Sequence, residues 1–143
     1  MMRVRVFNEH PARRIQRAEI ARVARRVLKG ERKRHGDITV VFVDGKTMKR
    51  MNGRYLKHWS ATDVLSFPLS EDPAFLEGEV YVNTDQAVHQ AREYRVTFLN
   101  ECSRLVAHGI LHLVGFDDKT RRATREMAAR EDLYLFPKKK NGT

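Results

Sequence analysis

The stretch from His108 to Asp118, HGILHLVGFDD, limits what this chain can fold into more than any other. Leu105, Val106, Ile110, Leu111 and Leu113 give it the apolar content of a buried helix. In that helix His108 and His112 stand one turn apart on one face, about 6 Å between their Cβ atoms. Gly115 then offers the left-handed conformation that ends a helix, so the chain can reverse and return Asp117 or Asp118 towards the same point. Two imidazoles and a carboxylate converging on one spot describe an open-sided zinc site, three protein ligands with water in the fourth position. The predicted centre is one Zn2+ per chain on His108, His112 and Asp118. Asp117, adjacent, is either an alternative ligand or an acceptor for a ligand histidine N–H.

The same frame occurs in metzincin metalloproteases as H-E-x-x-H-x-x-G-x-x-H, where the glutamate is the general base. Here Gly109 occupies the glutamate position and Asp118 that of the third histidine. The clamp is retained and the proteolytic base is absent, which argues against a peptidase. A net charge of +10 and a pI near 10.2 favour a polyanionic partner through phosphate neutralisation and counterion release. The alternative is a basic surface kept for solubility; beside a hydrolytic metal site, nucleic acid is the better reading.

The chain has 143 residues, enough for one domain that buries about two-thirds of its unfolded surface. No apolar run approaches the roughly 18 residues of a membrane span, and no charged-then-apolar leader precedes the first strand, so the expectation is a cytoplasmic protein. Cys102, the single cysteine, excludes an internal disulfide and reads as a small buried hydrophobe.

Periodicity predicts an α+β domain over 1–136: a small mixed sheet of about four strands packed with about five helices, with the HxxxH pair on one of them. Arg3 to Phe7 alternates like a half-buried strand. Ile20, Val23, Ala24, Val27 and Leu28 form a helical stripe, with Arg22, Arg25, Arg26 and Lys29 on the outer side as candidate contacts to RNA backbone or as a solvated face. Gly30 is expected to stop that helix. Asp37 to Val43 is apolar on nearly every residue, a strand covered on both faces at the sheet centre. Asp44 caps a short helix with Met48 and Met51 inward. Asn52 to Ala61 reads as a polar loop whose Arg54, Tyr55, His58 and Trp59 suit stacking on unpaired bases, unless Trp59 plugs the core edge.

Thr62 to Phe67 is the third strand, and Pro68 places it at an edge. Ser70 to Gly78 is a turn-rich loop, and Glu79 to Val82 is the fourth strand. Thr84 or Asp85 is expected to cap the next helix, where His89 is a surface residue. Thr97 caps the metal helix, with Leu99, Cys102, Leu105, Val106 and Ile110 inward. Thr120 caps a last helix to Leu135, with Met127 and Leu133 inside. Residues 137–143, with Lys138 to Lys140, read as a basic disordered tail.

The motif HGILHLVGFDD, with Thr62-Asp63-Val64-Leu65-Ser66-Phe67-Pro68 and Gly78-Glu79-Val80 upstream, closely resembles the YbeY family of bacterial endoribonucleases. Their signature is H-G-x-L-H-L-x-G-Y-D-H, after a T-D-V-L-S-F-P strand and a G-D-I or G-E-I strand. The resemblance runs from about Met51 to Leu135. It implies a zinc-dependent, single-strand-specific endoribonuclease acting in ribosomal RNA maturation (the 16S 3′ end) and ribosome quality control. The implied partners are single-stranded or ribosomal RNA, a ribosome subunit and assembly factors. The family's third histidine falls on Asp118, which adds negative charge at the metal and should weaken its Lewis acidity. The arginine of the family's N-x-x-Y-R motif falls on Leu56, leaving Arg54 and His58 as the candidates for phosphate contact or proton transfer. Ligand count does not separate attack by water from attack by the RNA 2′-hydroxyl. A non-catalytic rRNA-binding assembly factor with a structural metal is the alternative function.

Overall fold

The computed structural model describes residues 1–56 and 62–136. Its elements in chain order are β1 (Met2–Asn8), α1 (Arg17–Gly30), β2 (Gly36–Val43), α2 (Gly45–Leu56), β3 (Val64–Pro68), β4 (Leu76–Asn83), α3 (Thr84–Tyr94), α4 (Phe98–Val114) and α5 (Arg121–Leu135). The four strands form one mixed sheet in the order β1-β2-β4-β3. β2 runs parallel to β1 and to β4, and β3 is antiparallel to β4 at the sheet edge. The α+β class, the strand and helix numbers and the edge position of β3 agree with the sequence reading.

Strand periodicity sorts the core into two layers. Ile38, Val40 and Phe42 of β2 and Val80 and Val82 of β4 face a large cluster built with α1 and α4, through Ile20, Val27, Leu105, Val106 and Ile110. Val41 and Val43 point the opposite way, into a smaller cluster with Met48 of α2 and Leu65 of β3. β2 is therefore covered on both faces, which is why it lacks a polar side. α4 is the central helix: Cys102, Leu105, Val106, Ala107, Ile110 and Leu111 are all buried. No helix among the described residues is long and apolar enough to cross a membrane.

Several local expectations need correction. α2 continues through Leu56, so Asn52 to Leu56 is helix rather than loop; Asn52 is buried, and its polarity concealed an inward position. Asn83, not Thr84 or Asp85, caps α3 by accepting the Gln86 N–H at 3.1 Å. Thr84 is fully buried, and Asp85 accepts from the Gly45 backbone N–H and His10. Leu133 is 43 % exposed; the inner face of α5 is Met127, Glu131 and Tyr134, at helical spacing. Asp44, Thr97 and Thr120 each accept a backbone N–H three residues ahead, as expected of caps. His89 is on the surface, near Glu93. His58, Trp59 and 137–143 lie outside the described residues.

Candidate metal centre

The end of α4 is shaped by Gly115. Its φ of 121° is one that a side chain rarely adopts, and nothing within 4 Å would obstruct a Cβ, so conformation rather than space selects glycine. The Gly115 N–H donates to the His112 carbonyl and the Phe116 N–H to the Leu111 carbonyl, closing the helix in a Schellman turn. The chain then reverses through Asp117, whose Oδ1 accepts the Lys119 N–H at 3.0 Å. The Thr124 hydroxyl on α5 donates to the Asp118 carbonyl at 3.2 Å, tying down that end of the turn.

These contacts bring three donor groups together. His108 Nε2 and His112 Nε2 face each other at 3.2 Å, and Asp118 Oδ2 lies 4.0 Å from His108 Nε2. One ligand atom from each of the three lies within 4.8 Å of the others. Tetrahedral ligands about 2.1 Å from an ion are roughly 3.4 Å apart, so the trio has the dimensions of a small divalent cation site. The set lines a cleft of about 510 Å³ whose other wall is Thr62, Asp63, Val64, Leu65, Ser66 and Pro68, from the edge strand and the residues before it.

A buried polar chain runs behind His108. Glu131, 5 % exposed on α5, accepts from His108 Nδ1 at 2.7 Å, which leaves the Nε2 lone pair directed at the site. Arg104 Nη1 donates to Glu131 Oε1 at 3.4 Å, and Arg104 also grips the buried Glu101 through Nε at 3.0 Å and Nη2 at 2.5 Å. Gln90 Nε2 donates to Glu101 at 2.6 Å, so α3, α4 and α5 all contribute. The surroundings shift the pKa values of the two histidines in opposite directions. Burial alone lowers the His108 pKa, but the hydrogen bond and charge of Glu131, with Asp63 and Asp118 nearby, leave it above the usual histidine value. Burial, then the neighbouring His108, holds His112 below that value.

Gly109 sits where α4 meets the sheet. A Cβ there would lie 2.5 Å from Val80 Cγ1 and 3.2 Å from Ser66 Oγ, while Ser66 donates to the Gly109 carbonyl at 2.8 Å.

The other sequence candidates are dispersed. Arg54 is exposed near the end of α2 and lines a separate cavity of about 270 Å³ with Arg50, Tyr55 and Tyr81. On α1, Arg22 pairs with Glu19, Arg26 donates to the Tyr134 carbonyl at 2.7 Å, and Arg25 and Lys29 are exposed. Sequence reasoning did not single out Glu131, Arg104, Glu101 or Gln90. The available signal was a carboxylate at position 131, four residues after Met127 and three before Tyr134, on the apolar side of α5.

The family model described as Endoribonuclease YbeY matches residues 5–137. An endoribonuclease YbeY from Salinibacter ruber is 38% identical over 138 residues, covering 91% of this chain and 88% of the relative. Another, from Chlorobaculum parvum, is 35% identical over 134 residues, 94% of each chain. The solution structure of a Thermotoga maritima protein superimposes with a TM-score of 0.65 at 28% identity, covering 92% of this chain and 86% of that one. With the family model spanning nearly the whole length and relatives above 30% identity, this chain belongs to the YbeY endoribonuclease family.

Proposed function

We propose that this chain is a zinc-dependent endoribonuclease that cuts single-stranded ribosomal RNA in the cytoplasm, acting in 16S 3′ end maturation and ribosome quality control alongside a ribosome subunit and assembly factors. The observation that carries the reading is the convergence of His108, His112 and Asp118 at the wall of a cleft of about 510 Å³. Membership of an endoribonuclease family supplies the reaction class, and the charge of +10 suits a polyanionic substrate.

One Zn2+ held by these three side chains would supply Lewis acidity, polarising a phosphoryl oxygen or lowering the pKa of a water molecule. His108 and His112 present their Nε2 atoms, and Glu131 keeps the first ring in the tautomer that does so. Asp118, half exposed, completes the set from the turn after α4 and leaves the cleft side accessible. Asp117 borders the set through the Lys119 turn and tunes its charge. Arg54, at the end of α2, and His58 would contribute phosphate contact or proton transfer, and on α1 Arg25 and Lys29 would contribute backbone contacts more readily than Arg22 and Arg26, which are held by Glu19 and the Tyr134 carbonyl.

The test is elemental analysis of purified protein together with cleavage of structured and unstructured rRNA fragments by wild type, His112→Ala and Asp118→Ala. Stoichiometric zinc, and cleavage of the unstructured fragments that both substitutions abolish without unfolding the chain, supports the reading. Salt-sensitive RNA binding that survives His112→Ala, with no fragment cut by the wild type, overturns it and leaves a non-catalytic assembly factor with a structural metal. Arg54→Ala and His58→Ala variants that cut at the wild-type rate remove those two residues from the reaction.

A further inference from the structure

The α1 cations do not act as one face. Arg22 and Arg26 are engaged, whereas Arg25 and Lys29 join Arg32, Lys33 and Arg34 around a concavity of about 410 Å³ floored by Met2 and Leu28. None of the residues lining it is acidic. Arg25 donates to the Met2 carbonyl at 3.3 Å, and among the described residues Lys29, Arg32, Lys33 and Arg34 form no ion pair. Arg5, Arg22, Arg104, Arg122 and Arg130, by contrast, each have a carboxylate partner. Glu31, the one acid within 29–34, is turned away and held by the Tyr134 hydroxyl and Arg130.

The Schellman turn that ends α1 shapes one side of this concavity. Arg32 has φ 60°, a left-handed conformation that glycine adopts without cost and arginine does not. Its N–H donates to the Lys29 carbonyl at 3.0 Å and the Lys33 N–H to the Leu28 carbonyl at 2.8 Å, folding the Arg32–Arg34 segment back beside the last turn of α1. Five cations gathered without counter-charge repel one another. A bound polyanion would relieve the repulsion. Next to the concavity in sequence, Glu31 pairs with Arg130 of α5 at 3.4 Å, and the Arg130 guanidinium lies 5.5 Å over the ring of Phe116, two residues before Asp118.

We infer that the concavity formed by Arg25, Lys29, Arg32, Lys33 and Arg34 is a phosphate-binding exosite that holds the backbone of an RNA strand outside the metal cleft. The inference rests on RNA being the substrate. A concave pocket lined by five cations and no acid fits the phosphates of a strand, whereas a planar lipid surface would not enter it. The exosite gives no base readout, because Lys and Arg here meet only phosphate charge.

The probe is fluorescently labelled oligouridylate, bound to full-length His112→Ala protein so that cleavage does not intrude. Lys29→Gln/Arg32→Gly/Lys33→Gln should bind it at least tenfold more weakly and flatten the slope of log K against log salt by about 2, at roughly 0.7 per lost single-strand contact. Arg32→Gly places the residue suited to φ 60° there, so the melting temperature should not fall on that account. A control triple, Lys46→Gln/Lys49→Gln/Arg92→Gln, removes equal charge from α2 and α3. Equal losses in both triples, or an unchanged salt slope in the first, overturn the exosite. In otherwise wild-type protein the first triple should raise KM for a long single strand by at least tenfold; an unchanged KM on the long strand also overturns it. Cleavage that persists in His112→Ala refutes the metal-dependent reading of the cleft instead, so the two failures are distinguishable.

Discussion

Glu131→Ala tests how the metal helix is held. The side chain is almost completely buried, and its two oxygens face His108 Nδ1 at 2.7 Å and Arg104 Nη1 at 3.4 Å. Breaking a buried ion pair by removing one partner costs about 3–5 kcal/mol when the other charge is stranded. Here neither partner is fully stranded. Arg104 keeps its two bonds to Glu101, and His108 can shed its proton, so the loss reduces to unsatisfied buried donors, about 1–3 kcal/mol. At about 2–4 °C per kcal/mol, the melting temperature should fall by roughly 4–8 °C for a mid-range loss. Zinc affinity, read by competition with a chromophoric chelator, should fall about 10- to 100-fold, because the His108 ring loses both its orientation and its fixed tautomer. Glu131→Gln retains an acceptor for the Nδ1–H and should recover most of the zinc affinity. A folded Glu131→Ala protein that binds zinc within twofold of wild type would refute the idea that this carboxylate sets the ligand.

Three further outcomes are expected. Gly109→Ala should destabilise the protein by about 0–2 kcal/mol in urea unfolding, because overpacking against Val80 costs about 1–3 kcal/mol and alanine's helix propensity returns about 1; clear stabilisation would mean that α4 sits further from the sheet. Cys102, its thiol pushed up to about 12 by burial and then by Glu101, should resist disulfide reagents at about pH 8 until the protein unfolds, and immediate modification of the native protein would contradict its placement. In metal-free protein the raised His108 pKa stabilises below the unfolded histidine value and loses that effect as pH rises through the folded value, while the depressed His112 pKa stabilises above the unfolded value and loses its effect as pH falls through the folded one. The two oppose each other, but zinc requires both rings neutral, so the melting-temperature gain from saturating zinc should be larger at about pH 8 than at about pH 6; a gain that shrinks with pH refutes ligation by His108.

Legibility tracked how directly a residue's chemistry announces its environment. β2 was readable because an unbroken apolar run has few other uses, and α4 because its apolar residues fall at helical spacing around two histidines. The convergence of His108, His112 and Asp118 was readable because its spacing is local: one helical turn, then one reversal at a glycine. Glu131 was not, since its partner His108 lies 23 residues away and a glutamate on a helix ordinarily faces water. The misplaced end of α2 has the same cause, with Asn52 a polar residue turned inward. The cap of α3 failed differently. Asn83, Thr84 and Asp85 are all competent by residue type, and only the extended backbone at Asn83, φ −76° and ψ 100°, identifies which one precedes the helix.

Gly109 joins the fold to the chemistry. The position after the first histidine is where a peptidase of this frame carries its base, and in this chain that position faces the sheet. A side chain there would meet Val80 before it reached solvent, so the seating of α4 against β3 and β4 and a helix-borne base at 109 are mutually exclusive here. Close seating has a second effect, because the edge strand then forms the far wall of the cleft, with Ser66 bonded to the Gly109 carbonyl and Asp63 and Asp118 as the carboxylates among its described lining residues. A cleft built in this way lacks the helix-borne base that a peptidase of this frame uses to deprotonate water, and what its lining offers instead is a trio of donor groups of the right dimensions for a divalent cation.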